Sequence, residues 1–129
     1  MHTTASDGRC SPADLVARVR TAGLDTFAIT DHDTVAALAE ARRHAAASGL
    51  TLVPGIEITA VWEARDVHVL GYWFDEDDAS LNAFLVEQRA RGVERVQRIA
   101  HALVRAGAPI DVTPLLDDAA ARPGAAVGR

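Results

Sequence analysis

The sequence predicts an α/β fold with a largely parallel sheet, on three observations. Short apolar runs of strand length alternate with stretches that carry apolar residues at helical spacing. The helical stretches open and close on residues suited to helix ends. Alanine supplies 26 of 129 positions and aromatics only 5%, a composition that leans towards helix. With 49% hydrophobic and 24% charged residues, the chain has the make-up of a single soluble domain large enough to bury a core. No apolar run approaches the ~18–20 residues that span a bilayer, which argues against a membrane protein.

The first ten residues are polar and rich in turn formers. Ser11-Pro12-Ala13-Asp14 reads as a helix start, with Ser11 as N-cap, Pro12 at the first helical position and Asp14 near the positive end of the dipole. Leu15, Val16, Val19 and Ala22 recur at helical spacing up to Gly23. Phe27-Ala28-Ile29 has the size of a buried strand and stops at Thr30-Asp31-His32-Asp33. A second helix is expected from about Thr34 to Ser48, with Asp33 as its N-cap, Leu38 and the alanines facing a core, and Arg42, Arg43 and His44 facing out. Leu50-Thr51-Leu52-Val53 is the next strand, expected to break at Pro54-Gly55. Ile56 to Trp62 alternates, and Val67 to Phe74 is a further strand. A long amphipathic helix should run from about Ala79 to Ala106, carrying Leu81, Leu85, Val93, Val96, Ile99, Ala100 and Leu103. Thr113-Pro114 opens a short helix, and the residues from Arg122 onward have loop composition.

A net charge of −5 argues against a surface that coats nucleic acid, and no extended duplex is expected as a partner. A phosphate-bearing substrate stays open, because bound cations supply positive charge locally. All 13 basic residues are arginine, a bias that a GC-rich genome explains. The single cysteine, Cys10, rules out an internal disulfide framework and a CxxC zinc site. The N-terminus lacks the basic start and apolar stretch of a signal peptide, so the expected compartment is the cytoplasm.

Chemistry concentrates at a few positions. Asp31-His32-Asp33 follows directly on the Phe27–Ile29 strand, at the end where α/β folds bind ligands. Glu57 sits between Ile56 and Ile58, and His68 between Val67 and Val69. A carboxylate among apolar neighbours is costly unless paired or bound to a cation. Taken singly, each has a structural reading: a strand histidine for His68, a solvent-facing position for Glu57, a turn for Asp7-Gly8. His44 and His101 read as surface residues. Together, His2, Asp7, His32, Glu57 and His68 are the residue types that hold divalent metals. A mixed histidine and carboxylate set suits Zn²⁺, Mn²⁺ or Fe²⁺ better than Ca²⁺ or Mg²⁺.

Four segments, taken in order, resemble the successive motifs of the PHP (polymerase and histidinol phosphatase) superfamily of metal-dependent phosphoesterases. They are His2-Thr3-Thr4-Ala5-Ser6-Asp7-Gly8, Ala28-Ile29-Thr30-Asp31-His32-Asp33-Thr34, Pro54-Gly55-Ile56-Glu57-Ile58 and Val67-His68-Val69-Leu70-Gly71. The Ala60–Glu63 stretch and the arginines of the long helix are most similar to the branch of nucleoside 3′,5′-bisphosphate phosphatases and 5′-3′ exoribonucleases. The resemblance implies a distorted (β/α)7 barrel with up to three divalent metals at the strand C-termini. Carried over by motif, His2 is the second histidine of an opening His-x-His pair. Glu57 bridges two metals, His68 ligates one of them, and Asp7 and His32 serve the third. The implied chemistry is attack of a metal-activated hydroxide on phosphorus. No side chain acts as a catalyst beyond these ligands, while Arg91, Arg95 and Arg129 hold substrate phosphate. Partners would be a phosphorylated small molecule, a nucleotide or short RNA.

The chain also departs from the family pattern. It starts at the x of the opening His-x-His motif and stops at Gly128-Arg129, where the family continues to a further histidine. Residues 1–129 are therefore expected to be the N-terminal half of a PHP domain, truncated at both ends, with each metal site left short of ligands and activity impaired. Such an open barrel is expected to expose strand edges. The alternatives are a histidinol-phosphatase-like or other small phosphomonoesterase, and a PHP domain kept as a structural or interaction module.

Overall fold

The chain, analysed as a computed structural model that describes residues 1–122 and 124–126, runs as helix, strand, helix, two strands and two helices. Ser11 caps helix α1 (Pro12–Thr21) by accepting from the Asp14 N–H at 3.1 Å, with Pro12 in the first turn. Its face of Leu15, Val16 and Val19 is buried, while Ala22 falls on the C-cap. Strand β1 (Thr26–Ile29) buries Phe27 and Ile29, and helix α2 (Leu38–Ala47) buries Leu38, Ala41 and Ala45. These residues with Leu52 form one core, in which α1 and α2 pack together on β1 and strand β2 (Thr51–Trp62).

Helix α2 starts four residues later than the sequence suggests, and Asp33 is not its cap. Asp33 adopts φ 51° and turns its carboxylate to the Thr59 N–H (2.9 Å), fastening the end of β1 to β2. The next residue is tied up as well: the Thr34 hydroxyl donates to the Gly124 carbonyl and accepts from the Ala36 N–H. Both polar groups that would start a helix are thus spent on tertiary bonds.

The expected break at Pro54-Gly55 is also absent. β2 runs through it, pairing parallel with β1 up to Ile29↔Pro54 and antiparallel with β3 (Arg65–Tyr72) from Gly55↔Tyr72 onward. The sheet order is β1-β2-β3, so it is mixed rather than largely parallel. Pro54 and Gly55 mark the hand-over between partners, where a lost donor and a missing side chain are tolerated. A Cβ on Gly55 would lie 2.6 Å from the Ile29 carbonyl oxygen.

The β2–β3 hairpin turns on Glu63 and Ala64, at φ 48° and 60°. Two consecutive left-handed residues make a turn of the I′ kind, which ordinarily takes Asn-Gly, so the sequence carries no turn signal there. Replacing Ala64 by glycine removes its steric penalty and is expected to stabilise the protein by about 1 kcal/mol, readable as a raised urea midpoint at unchanged slope. β3 is the exposed edge strand, with Val67, Val69, Leu70 and Tyr72 all substantially in solvent.

Helix α3 (Ala79–Arg105) is capped by Asp78, whose carboxyl is held below the usual carboxylate range chiefly by the Ser80 hydroxyl, aided by the Leu81 N–H. It buries Leu85, Val96 and Ala100, but Ile99, expected on the same stripe, is half exposed. Helix α4 (Thr113–Ala121) follows. Beyond it the chain returns to the N-terminal loop, where Arg122 donates to the Thr4 carbonyl and Ala126 N–H to the Ala5 carbonyl. Among the described residues no helix is long and apolar enough to cross a membrane.

Candidate metal centre

The site forms where the N-terminal loop, the end of β1 and the middle of the β2–β3 ribbon meet. Past Ile29 the chain continues beside β2 for one more pairing, His32 against Glu57. The Glu57 N–H donates to the Asp31 carbonyl at 3.1 Å, and the Asp33 N–H donates to the Glu57 carbonyl at 2.8 Å. On β3, Glu57 is opposite Leu70 and His68 is opposite Thr59. Alternation along a strand then puts Glu57 and His68 on one face as diagonal neighbours. On the other side of β1, the Thr30 N–H donates to the Met1 carbonyl at 2.8 Å, which delivers His2 to the same end.

All five side chains singled out in the sequence as cation ligands converge. The His2 and His32 rings stack with centroids 4.8 Å apart, and the His68 ring meets His32 edge-on at 5.1 Å. Glu57 reaches every imidazole: Oε2 is 3.4 Å from His2 Nε2, and Oε1 is 3.7 Å from His32 Nδ1 and in contact with His68 Nδ1. Asp7 closes the far side, 3.4 Å from His2 Nδ1 and 3.6 Å from His32 Nε2. His32 is almost fully buried, and only Asp7 and His68 show more than a third of their side chains to solvent.

Most of these separations are long for hydrogen bonds. They suit ligands of a common ion, since bonds of about 2.1 Å at tetrahedral angles hold two donor atoms about 3.4 Å apart. His2 Nδ1 is buried and makes no hydrogen bond, a lone pair or proton left over unless an ion takes it. Donor atoms of His2, His32 and Glu57 all lie within 4.8 Å of one another. The residues present therefore fit a divalent cation of the kind that imidazole and carboxylate bind together.

Gly8 makes the loop possible. A Cβ there would meet the His2 carbonyl carbon and oxygen at 2.4 Å, so the segment between His2 and Asp7 can close back on itself only over a glycine.

Next to this cluster, along the same face of the ribbon, lies a groove of about 270 Å³ between Thr59, Asp33 and helix α3. Arg89, Arg91, Arg95 and Arg98 line it. Arg91 also pairs with Glu87 at 2.7 Å on the helix surface. The Thr59 hydroxyl oxygen is buried beside the groove without a hydrogen-bond partner. Arg91 and Arg95 thus sit beyond the imidazole cluster rather than within it, and Arg129 lies outside the described residues. His44 and His101 are exposed on their helices, as expected.

Sequence reasoning gave no role to Asp31, Thr3 or Ser6, which hold the loop, nor to Arg89 and Arg98. Asp31 had one visible signal, a place in the polar run that ends a buried strand.

Comparison with known proteins places these features. The profile of the PHP domain matches residues 1–121. The chain is 44% identical over 110 residues to the 5′-3′ exoribonuclease Rnm of Escherichia coli, an alignment that covers 84% of this chain and 38% of that protein. It is 32% identical over 106 residues to the 3′,5′-nucleoside bisphosphate phosphatase of Chromobacterium violaceum, covering 82% of this chain and 37% of the relative. A solved structure from Bifidobacterium adolescentis, assigned as a metal-dependent phosphoesterase, superposes with a TM-score of 0.84 at 34% identity, over 98% of this chain and 44% of the other. The chain thus spans less than half the length of the proteins it matches.

Proposed function

The chain belongs to the PHP-domain family, and from that premise we propose that it supplies part of a metal-dependent phosphoesterase acting on nucleotides, either nucleoside 3′,5′-bisphosphates or the 5′ ends of short RNA. The observation that carries this reading is the convergence of two carboxylates and three imidazoles from four separate segments, with donor atoms spaced as ligands of common ions. Residues 1–129 act in it as one incomplete PHP domain.

In this reading His2, Asp7, His32, Glu57 and His68 hold the ions, up to three in the complete site, drawn from Mn²⁺, Zn²⁺ and Fe²⁺. When bound, such ions supply a water of lowered pKa as nucleophile and positive charge opposite the phosphoryl oxygens. The chain's own groups do the rest. Glu57 faces all three rings, and His32, buried between the other two, stacks on His2 and meets His68 edge-on. The arginines of α3 take up a phosphate lying along the ribbon beyond Thr59, where a guanidinium fork bonds two oxygens at once. Arg91 and Arg95 are the residues assigned to this, with Arg129.

The arginine groove favours a nucleotide over a small monoester such as histidinol phosphate, because a substrate with a single phosphate engages only the cluster. The test is phosphate release from adenosine 3′,5′-bisphosphate and from histidinol phosphate with Mn²⁺ present. The bisphosphate is expected to be preferred, and the 129-residue chain alone is expected to turn over below ~1 s⁻¹. Preference for histidinol phosphate would overturn the nucleotide assignment. No hydrolysis of either by a longer protein that contains this chain and binds Mn²⁺ tightly would favour an interaction module.

A further inference from the structure

We propose that Asp31 is the positioning residue of the candidate metal centre, setting where His2 and Asp7 stand relative to His32 and Glu57. Asp31 is 1% exposed, and its carboxylate bonds to one short segment. Oδ1 accepts from the Thr3 N–H at 2.6 Å and from the Ser6 hydroxyl at 2.7 Å, and Oδ2 accepts from the Thr3 hydroxyl at 2.6 Å. Thr3 and Ser6 lie between His2 and Asp7, the two ligands that this loop contributes.

The loop has little else to fix it to the sheet. Its own backbone bonds, from Ser6 and Gly8 to the Thr3 carbonyl and from Thr4 to the Cys10 carbonyl, shape it internally without saying where it docks. Docking falls to Met1, which runs beside the end of β1, to the C-terminal residues that bond Thr4 and Ala5, and to Asp31. Asp31 is bonded in both directions within the site, because its main-chain carbonyl also accepts from the Glu57 N–H at 3.1 Å. One residue thereby links loop, β1 and β2, next to His32 in the chain. Charged acceptors form short bonds with strong directional preference, which is what holding two ligands in place requires. The proposal rests on the five side chains being cation ligands; Asp31 itself touches none of the reacting groups and acts through the loop.

Two variants separate position from charge. Asp31→Asn removes the negative charge and one acceptor, whereas Ser6→Ala keeps the charge and deletes the bond to Asp31 together with the longer contact, 3.5 Å, that the same hydroxyl makes with Asp7 Oδ1. Mn²⁺ binding to the 129-residue chain is measured by calorimetry, alongside thermal unfolding and amide hydrogen exchange of residues 3–8. Asp31→Asn is expected to weaken Mn²⁺ about 10–100-fold, the range for groups that orient metal ligands. Ser6→Ala is expected to weaken it several-fold, with faster exchange confined to the loop and an unchanged unfolding temperature. A merely structural role would move the unfolding temperature and the affinity together. Unchanged affinity in Ser6→Ala overturns the proposal, including in the event that Asp31→Asn does not fold. Absence of Mn²⁺ binding by the unsubstituted chain overturns the ligand reading instead. Loop exchange in Ser6→Ala then decides on Asp31, with unchanged protection counting against it.

Discussion

Replacing Glu57 by glutamine is expected to weaken divalent-metal binding by at least about 100-fold while leaving the fold in place. Glu57 is the one group that approaches all three imidazoles, with a carboxylate oxygen 3.4 Å from His2, 3.7 Å from His32 and in contact with His68. An amide of the same shape keeps one acceptor and presents an N–H₂ where the second oxygen stood, so it carries no charge and offers hydrogens to the site. Loss of an outer group that merely orients a ligand already costs about 10–100-fold in affinity, and loss of a ligand shared by several partners should exceed that. The change is nearly isosteric at a half-buried position, so the far-ultraviolet circular dichroism should be unaltered. Titration with Mn²⁺ of the variant and of Glu40→Gln, which alters an exposed pair with His44 at 3.9 Å, makes the comparison. Equal affinity in all three proteins would remove Glu57 from the centre.

The second large effect is expected from Gly55→Ala, by about 3 kcal/mol of stability. The added methyl would stand 2.6 Å from the Ile29 carbonyl oxygen, 3.0 Å from Thr30 Cγ2 and 3.3 Å from the Tyr72 ring. The first of these is backbone within the parallel β1–β2 pairing, so a rotamer change cannot relieve it. Either the strands part or the pairing beyond Ile29↔Pro54 is lost. For a chain of this length the loss corresponds to roughly 10 °C in Tm. Because Glu57 is two residues further along β2, metal affinity should fall with it. A variant as stable as the parent protein would show that the strands have room to separate without cost.

These two positions also show what the sequence made legible. The start of helix α1 was readable to the residue, because Ser11 and Pro12 act locally and need no partner. The ligand candidates were readable because Glu57 and His68 interrupt apolar strands and His32 follows one, which conflicts with burial unless something compensates. Positions whose role depends on a distant partner were misread. Asp33 and Thr34 have the chemistry of a helix start, but Thr59 and Gly124 claim it, and neither is near in sequence. Pro54-Gly55 has the chemistry of a turn, and only a strand with two different neighbours reverses that meaning. Glu63 and Ala64 turn the hairpin against their own preferences, which no composition rule predicts. The docking of the N-terminal loop was illegible for the same reason, since Asp31 finds its donors more than twenty residues upstream.

The ribbon of β2 and β3 stands in solvent along most of β3, yet it carries two of the five clustered groups on opposite strands. A slip of one residue between those strands would send His68 to the reverse side and leave Glu57 opposite Val69 or Gly71. An ion gripping both side chains would therefore penalise every misaligned state of the hairpin, acting as a latch on strand alignment. Cation occupancy and correct alignment become one linked equilibrium, in which each strengthens the other by the same factor.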